Sequence, residues 1–177
     1  MNLEEEILAE HSKRQAVRVT RWIGNNSQRF AGLMKIFLSG DYRLTQRSAW
    51  IVSHCADAHP GLIKGWLPEM IRRMQDPGVH VAVPRNVFRI LHHIELPKNM
   101  RGIVVNECFQ TLQQGNAAVA VRANAIAVLT RVAKDEPELF NELRGTIELL
   151  AVDRSPAIRA RIRIVLKMME KQKKGRS

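Results

Sequence analysis

Apolar residues recur along this chain at the three- and four-residue intervals that line one face of a helix. No segment alternates with the period of two that marks a strand. Behind Arg122, for example, Ala125, Leu129 and Val132 fall on one stripe. The stripes are broken by turn-forming clusters: Gly24-Asn25-Asn26-Ser27, Ser39-Gly40-Asp41, His59-Pro60-Gly61 and Asp76-Pro77-Gly78. The pattern predicts helices from about Leu3 to Ile23, Gln28 to Leu38 and Tyr42 to Ala58, and a fourth ending near Met74. It continues with Val81 to Ile94, Lys98 to Gln113, Ala117 to Ala133 and Pro137 to Val152, and a last helix opens after Asp153. Pro68, inside the fourth helix, kinks it or marks a late start. Glu4, Glu5 and Glu6 sit in the first turn of the first, where the helix dipole favours acids.

The pattern also repeats. Arg47, Arg85, Arg122 and Arg159 stand 38, 37 and 37 residues apart, a regularity that marks an array of similar units. Asp41, Asn116 and Asp153 each precede their arginine by six residues, where a short polar side chain caps a helix start. Asp41, Arg47, Arg85, Asn116, Arg122, Asp153 and Arg159 are therefore read as a structural ladder, each arginine bridging its own Asp or Asn and the carbonyls of a neighbouring turn.

Arg122 with Ala125 and Leu129 resembles the HEAT repeat, whose second helix opens Asp-x-x-x-x-Val-Arg-x-x-Ala-x-x-x-Leu, with Asn116 in the Asp place. Asp153, Ile158, Arg159 and Leu166 fit the same frame with Ile162 for Ala. The middle copies depart from it: Trp50 and Phe88 replace the small Ala, His54 and His92 replace the Leu, and Val79 stands where an Asp is expected. A period of 37 is short against the roughly 40 to 47 of HEAT and armadillo units, and ankyrin and tetratricopeptide signatures are missing. The resemblance implies an all-α, right-handed α-α superhelix of about four to five helical repeats. Residues 1–170 would form one domain, and 171–177 a basic, disordered tail.

HEAT-type proteins commonly bind partners on their concave face, and helical phase proposes which residues line it here. Five and six places beyond each arginine are Val52 and Ser53, Ile90 and Leu91, Ala127 and Val128, Ile164 and Val165, mostly apolar and expected to point inward. The rows four and eight places on supply the candidate partner-binding face: Arg18, Trp22, Ile51, Arg89, His93, Ile126, Arg163 and Lys167.

Charge changes this picture only at one end. The formal net charge is +11, but residues 154–177 hold nine Lys or Arg against one acid, Glu170, so that the rest of the chain is close to balanced. Nucleic-acid binding through Arg18, Arg89, Arg163, Lys167 and the tail is the second reading. Alternation of Arg with Ile51 and Ile126 suits a protein surface better than a phosphate backbone. No apolar run reaches the roughly 18 residues of a membrane span, Met1-Asn2-Leu3-Glu4 is unlike a secretory signal, and two cysteines are too few for a disulfide framework. A cytoplasmic protein is expected.

Candidate chemistry is sparse. Trp50, His54, Phe88 and His92 occupy equivalent places one repeat apart, and are read as a packing cluster before a ligand pocket. His54, Cys55, His92 and His93 have ligand-type side chains, but their approach depends wholly on the assumed stacking, so no metal is assigned. His59 reads as a turn residue, and His11 and His80 as solvent-facing. Phosphate-cradling loops, nucleophile elbows and zinc-protease motifs are absent. Trp22, Trp50, Trp66 and Asp57 are the only raw material for a base-excision glycosylase of HEAT-like fold, and no motif ties them together. The expectation is a non-enzymatic scaffold without a cofactor, holding a protein partner.

Overall fold

The computed structural model describes residues 1–174. These contain α-helix and two 3-10 segments, with no strand among the described residues. The helices are α1 (Leu3–Ala9), α2 (Lys13–Ile23), α3 (Ser27–Leu38), α4 (Tyr42–Ala58), α5 (Pro60–Ile63), α6 (Leu67–Met74) and α7 (Ala82–His93). They continue with α8 (Lys98–Gln113), α9 (Val119–Asp135), α10 (Leu139–Leu149) and α11 (Pro156–Lys174). Contacts divide the chain into two compact units, Met1–Ile94 and Glu95–Ser177. In a repeat array each element touches mainly its neighbours, so contacts cluster locally.

Two predicted helices are broken. The first splits at Glu10, whose backbone is extended, and restarts at Ser12, whose hydroxyl accepts from the Gln15 N–H at 3.1 Å. Ser12-x-x-Gln15 is the capping-box spacing, a helix-start signal present in the sequence itself. Gln15 is buried, and its amide donates instead to the Glu6 carbonyl and carboxylate, tying α2 back to α1. The fourth helix breaks into α5, a 3-10 turn over Lys64–Trp66, and α6. Pro68 lies in the first turn of α6, so it marks a late start rather than a kink, because the missing N–H is unneeded there.

In the first unit α4 is the central element, packed against α1, α2, α3 and α7. Asp41 caps it, accepting from the Leu44 N–H at 2.7 Å. Ahead of it, Gly40 takes a φ of +93°, open to glycine at little strain, and a Cβ there would collide with the Arg73 guanidinium. Phe30, Phe37, Phe88, Leu33, Met34 and Met70 fill the core of this unit.

In the second unit the same central place falls to α9, packed against α8, α10 and α11. Buried Ala123, Ala125, Ala127 and Ala133 keep its surface low, while Ile126, Val128 and Leu129 supply apolar area. Its start departs from expectation: the N-cap position is Ala118, without a side-chain bond, and Asn116 is exposed two residues upstream. At α11 the cap is Ser155, whose hydroxyl accepts from the Ile158 N–H at 3.3 Å, and not Asp153. α11 continues through Lys174, so the segment expected as a disordered tail from 171 begins in helix. Residues 175–177 lie outside the described residues.

Candidate binding surfaces

The predicted inward row is buried at Val52, Ser53, Ile90, Leu91, Ala127, Val128 and Val165, with Ile164 exposed instead. The predicted partner-facing row does not form a surface of cations and isoleucines in either unit. Ile51 and Ile126 are in the core, 2% and 0% exposed. Both belong to central helices covered on several sides at once, which a single-helix phase argument cannot register. Arg18 is paired with Glu6 and bonds Gln15, and Arg89 is paired with Asp57 at 2.7 Å. Trp22 lies under the Arg29 guanidinium, 4.6 Å from its centroid, while Arg29 also donates to the Trp22 carbonyl. His93 is edge-on to His92 at 4.7 Å. Arg163 and Lys167, both on α11, are exposed.

The ladder is realised in a different sense from the one expected. Arg122 does not take Asn116. Its Nη2 pairs with Asp153 of the following repeat at 2.8 Å, and its Nε donates to the Ala117 carbonyl at 3.0 Å. One arginine thereby fastens the start of α9 to the start of α11. Asp153 also accepts from the Ser155 N–H at 2.7 Å. That backbone bond foremost, and then the Arg122 charge, holds its carboxyl below the usual range against an opposing desolvation effect. Arg47 reaches the Leu8 carbonyl at the end of α1 rather than Asp41. Arg85 lines a cleft in the first unit, and Arg159 lines one in the second.

The four-residue packing cluster is also redistributed. Trp50 stacks on His54 at 5.9 Å, Phe88 is buried at 1% exposure, and His92 meets His93. Among the described residues no group of three or more His, Cys, Asp or Glu is placed to hold a metal. Burial pushes Cys55 up to about 11 against a lowering hydrogen bond from Thr20, and pushes Cys108 up further, so neither sulfur is a thiolate near neutrality. The glycosylase set is not assembled: Trp22 is under Arg29, Trp66 is on the 3-10 turn, and Asp57 is tied to Arg89.

What helical phase did not anticipate is an aromatic cleft in the first unit. Tyr42, Gln46 and Trp50 follow one another at four-residue steps along α4. His11 comes from the break between α1 and α2, and His80, Val81 and Arg85 from the start of α7. His11, Gln46, Trp50, His80, Val81, Arg85 and Asn86 help line a cleft of about 350 Å³, the lower range of ligand sites. Trp50 is 39% and Tyr42 68% exposed, with Val81 also exposed. Tyr42 packs edge-on to His80 at 4.3 Å, and His11 tilts against Trp50 at 6.2 Å. The wall is fixed: Asn86 accepts from the Ser53 hydroxyl at 2.9 Å and donates to the Ala82 carbonyl, while His80 Nδ1 accepts from the Ala82 N–H. His54 Nε2, behind Trp50, is buried without a hydrogen-bond partner among the described residues. His11 is exposed, as expected, and His80 is half-buried; both also line the cleft.

No described helix is long and apolar enough to cross a membrane. Comparison with curated proteins and with solved structures finds no significant match. The profile of the HEAT repeat domain, by contrast, matches residues 3–169, nearly the whole chain. With all-α helices, an arginine every 37 to 38 residues and an Arg122–Asp153 link from one repeat to the next, the chain belongs to the HEAT repeat family.

Proposed function

We propose that this protein is a non-enzymatic HEAT-repeat scaffold that holds a protein partner, and that the aromatic cleft of the first unit is its contact site. Family membership supports protein interaction in general terms. The observation that carries the finer reading is the exposure of Trp50 in a cleft also lined by His11, Gln46, His80, Val81, Arg85 and Asn86, with exposed Tyr42 packed on His80 beside it. Trp, Tyr and Arg are the side chains in which binding energy concentrates at protein interfaces, and a polar wall around an apolar centre is the usual anatomy of such sites. Nothing in the cleft supplies an activated nucleophile. The nucleic-acid reading loses support in the first unit, since Arg18 and Arg89 are already neutralised by Glu6 and Asp57.

The test is affinity capture of native complexes by the wild-type chain and by Trp50→Ala, each with and without nuclease, followed by mass spectrometry. The reading expects proteins captured in both nuclease conditions and lost with Trp50→Ala. Capture that disappears with nuclease, or that is identical for the variant, overturns it.

A further inference from the structure

The cleft of the first unit is one-sided in charge. His11, His80 and Arg85 are among the described residues that line it, and no Asp or Glu is. Acids on the segments around it are taken up inside the fold. Asp41 accepts the Leu44 N–H at the start of α4, and Asp57 at the far end of α4 is paired with Arg89. Asp76, on the turn before α7, is paired with Arg73, and Glu6 on α1 holds Gln15 and Arg18. Glu10, next to His11 in the chain, is exposed and is not part of the lining.

The cations are left outside. Lys13 and Arg14 follow His11 into α2, Arg43 follows Tyr42 into α4, and all three are exposed, as is Arg85. None of α2, α4 and α7 has an acid in its first turn. The helix dipole disfavours cations at a helix start, so folding gains nothing from this placement. Like charges around a concavity instead focus a positive potential into it. Arg85 has an interaction within the chain, but a guanidinium carries five N–H donors and can take a carboxylate besides.

Exposed Trp50 and Val81 give the same cleft an apolar surface, and Gln46 an exposed amide. A volume of about 350 Å³ encloses a short motif, whereas single-stranded nucleic acid is tracked by an extended basic groove with successive stacking rings.

We propose that this cleft takes a short acidic segment of a protein partner, with an aliphatic or aromatic side chain laid against Trp50 and a neighbouring Asp or Glu carboxylate held by Arg85 and the imidazoles. This rests on the reading of the Trp50 cleft as the contact site, and adds the chemistry that the partner presents there. The same groups repel a basic segment, so charge sets which partners are refused as well as which are held.

The probe is a phage-displayed library of random peptides, selected on the full chain and counter-selected on Trp50→Ala. Enriched peptides should join Asp or Glu to a bulky apolar residue. Such a peptide, labelled and titrated by anisotropy, should weaken about tenfold or more when its acids are changed to Asn or Gln, and should weaken as salt is raised. Gln46→Glu is the informative variant. It is nearly isosteric, exposed and as good a helix former, so the melting temperature stays unchanged while a carboxylate enters the cleft. It should weaken the acidic peptide by about tenfold and leave the Asn or Gln form unchanged. Enrichment of neutral or basic peptides that need Trp50 overturns the acidic assignment and leaves the contact site standing. Acidic peptides indifferent to Gln46→Glu overturn the assignment, and peptides indifferent to Trp50→Ala remove the contact site with it. No enrichment over Trp50→Ala also overturns the proposal, and the contact site then rests on the capture of native complexes alone. Single-stranded DNA is run in parallel: if it binds in a Trp50-dependent way while no acidic peptide does, the cleft is a phosphate site and the proposal fails.

Discussion

Asp153 serves two repeats at once: it receives the Ser155 N–H inside its own and the Arg122 guanidinium from the one before. Both partners stabilise the charged carboxylate, so the folded pKa lies below the unfolded value of about 3.9. The stability this provides is present above that unfolded value and is lost as pH falls through the folded one. Asp153→Asn should therefore melt below wild type at neutral pH, with the difference shrinking under acid. Paired thermal scans across that range check it, and a gap that persists at low pH would show that shape rather than charge is responsible. Phe88 makes a simpler case. Its ring is 1% exposed, so Phe88→Ala should cost about 3 to 5 kcal/mol by denaturant unfolding. A loss under 1 kcal/mol would mean that the ring is not packed as described.

At the scale of elements, Ser12 and α11 show how charge and capping choose boundaries. Ser12→Ala removes the bond to the Gln15 N–H, and should cost about 0.5 to 2 kcal/mol with the loss felt where α2 begins. Amide exchange that speeds up at Gln15 and Ala16 ahead of the rest of α2 is the readout. On α11, Arg163→Glu places opposite charges one turn from both Arg159 and Lys167 and should raise stability by about 0.2 to 0.5 kcal/mol per pair.

The elements also show what was legible in the sequence. Helix identity and most ends were, because apolar spacing and turn residues act locally; Asp41 was read correctly as a cap. Asn116 was not, because α9 starts at Val119, too far along for that side chain to reach it. Ile51 and Ile126 were misplaced because exposure in a central helix depends on how many neighbours cover it. Phase on one helix carries no such information. The cleft was missed for the same reason, since His11, Trp50 and Arg85 come from separate segments. Tyr42, Gln46 and Trp50 at four-residue steps were the one local trace of it.

For the whole molecule, the periodic arginines and the family match fix the kind of protein, while the proposed partner binding is a reading of its surfaces. The cleft that carries it is aromatic and rimmed by His and Arg, which the needs of its own core do not explain. The most direct test of partner binding puts a photo-crosslinking amino acid at position 42 in cells, with the same group at exposed Lys35 as control. The account expects a discrete protein adduct from position 42, absent from position 35 and lost when Trp50→Ala is added. No adduct at position 42, an adduct to nucleic acid, or one indifferent to Trp50→Ala would contradict it.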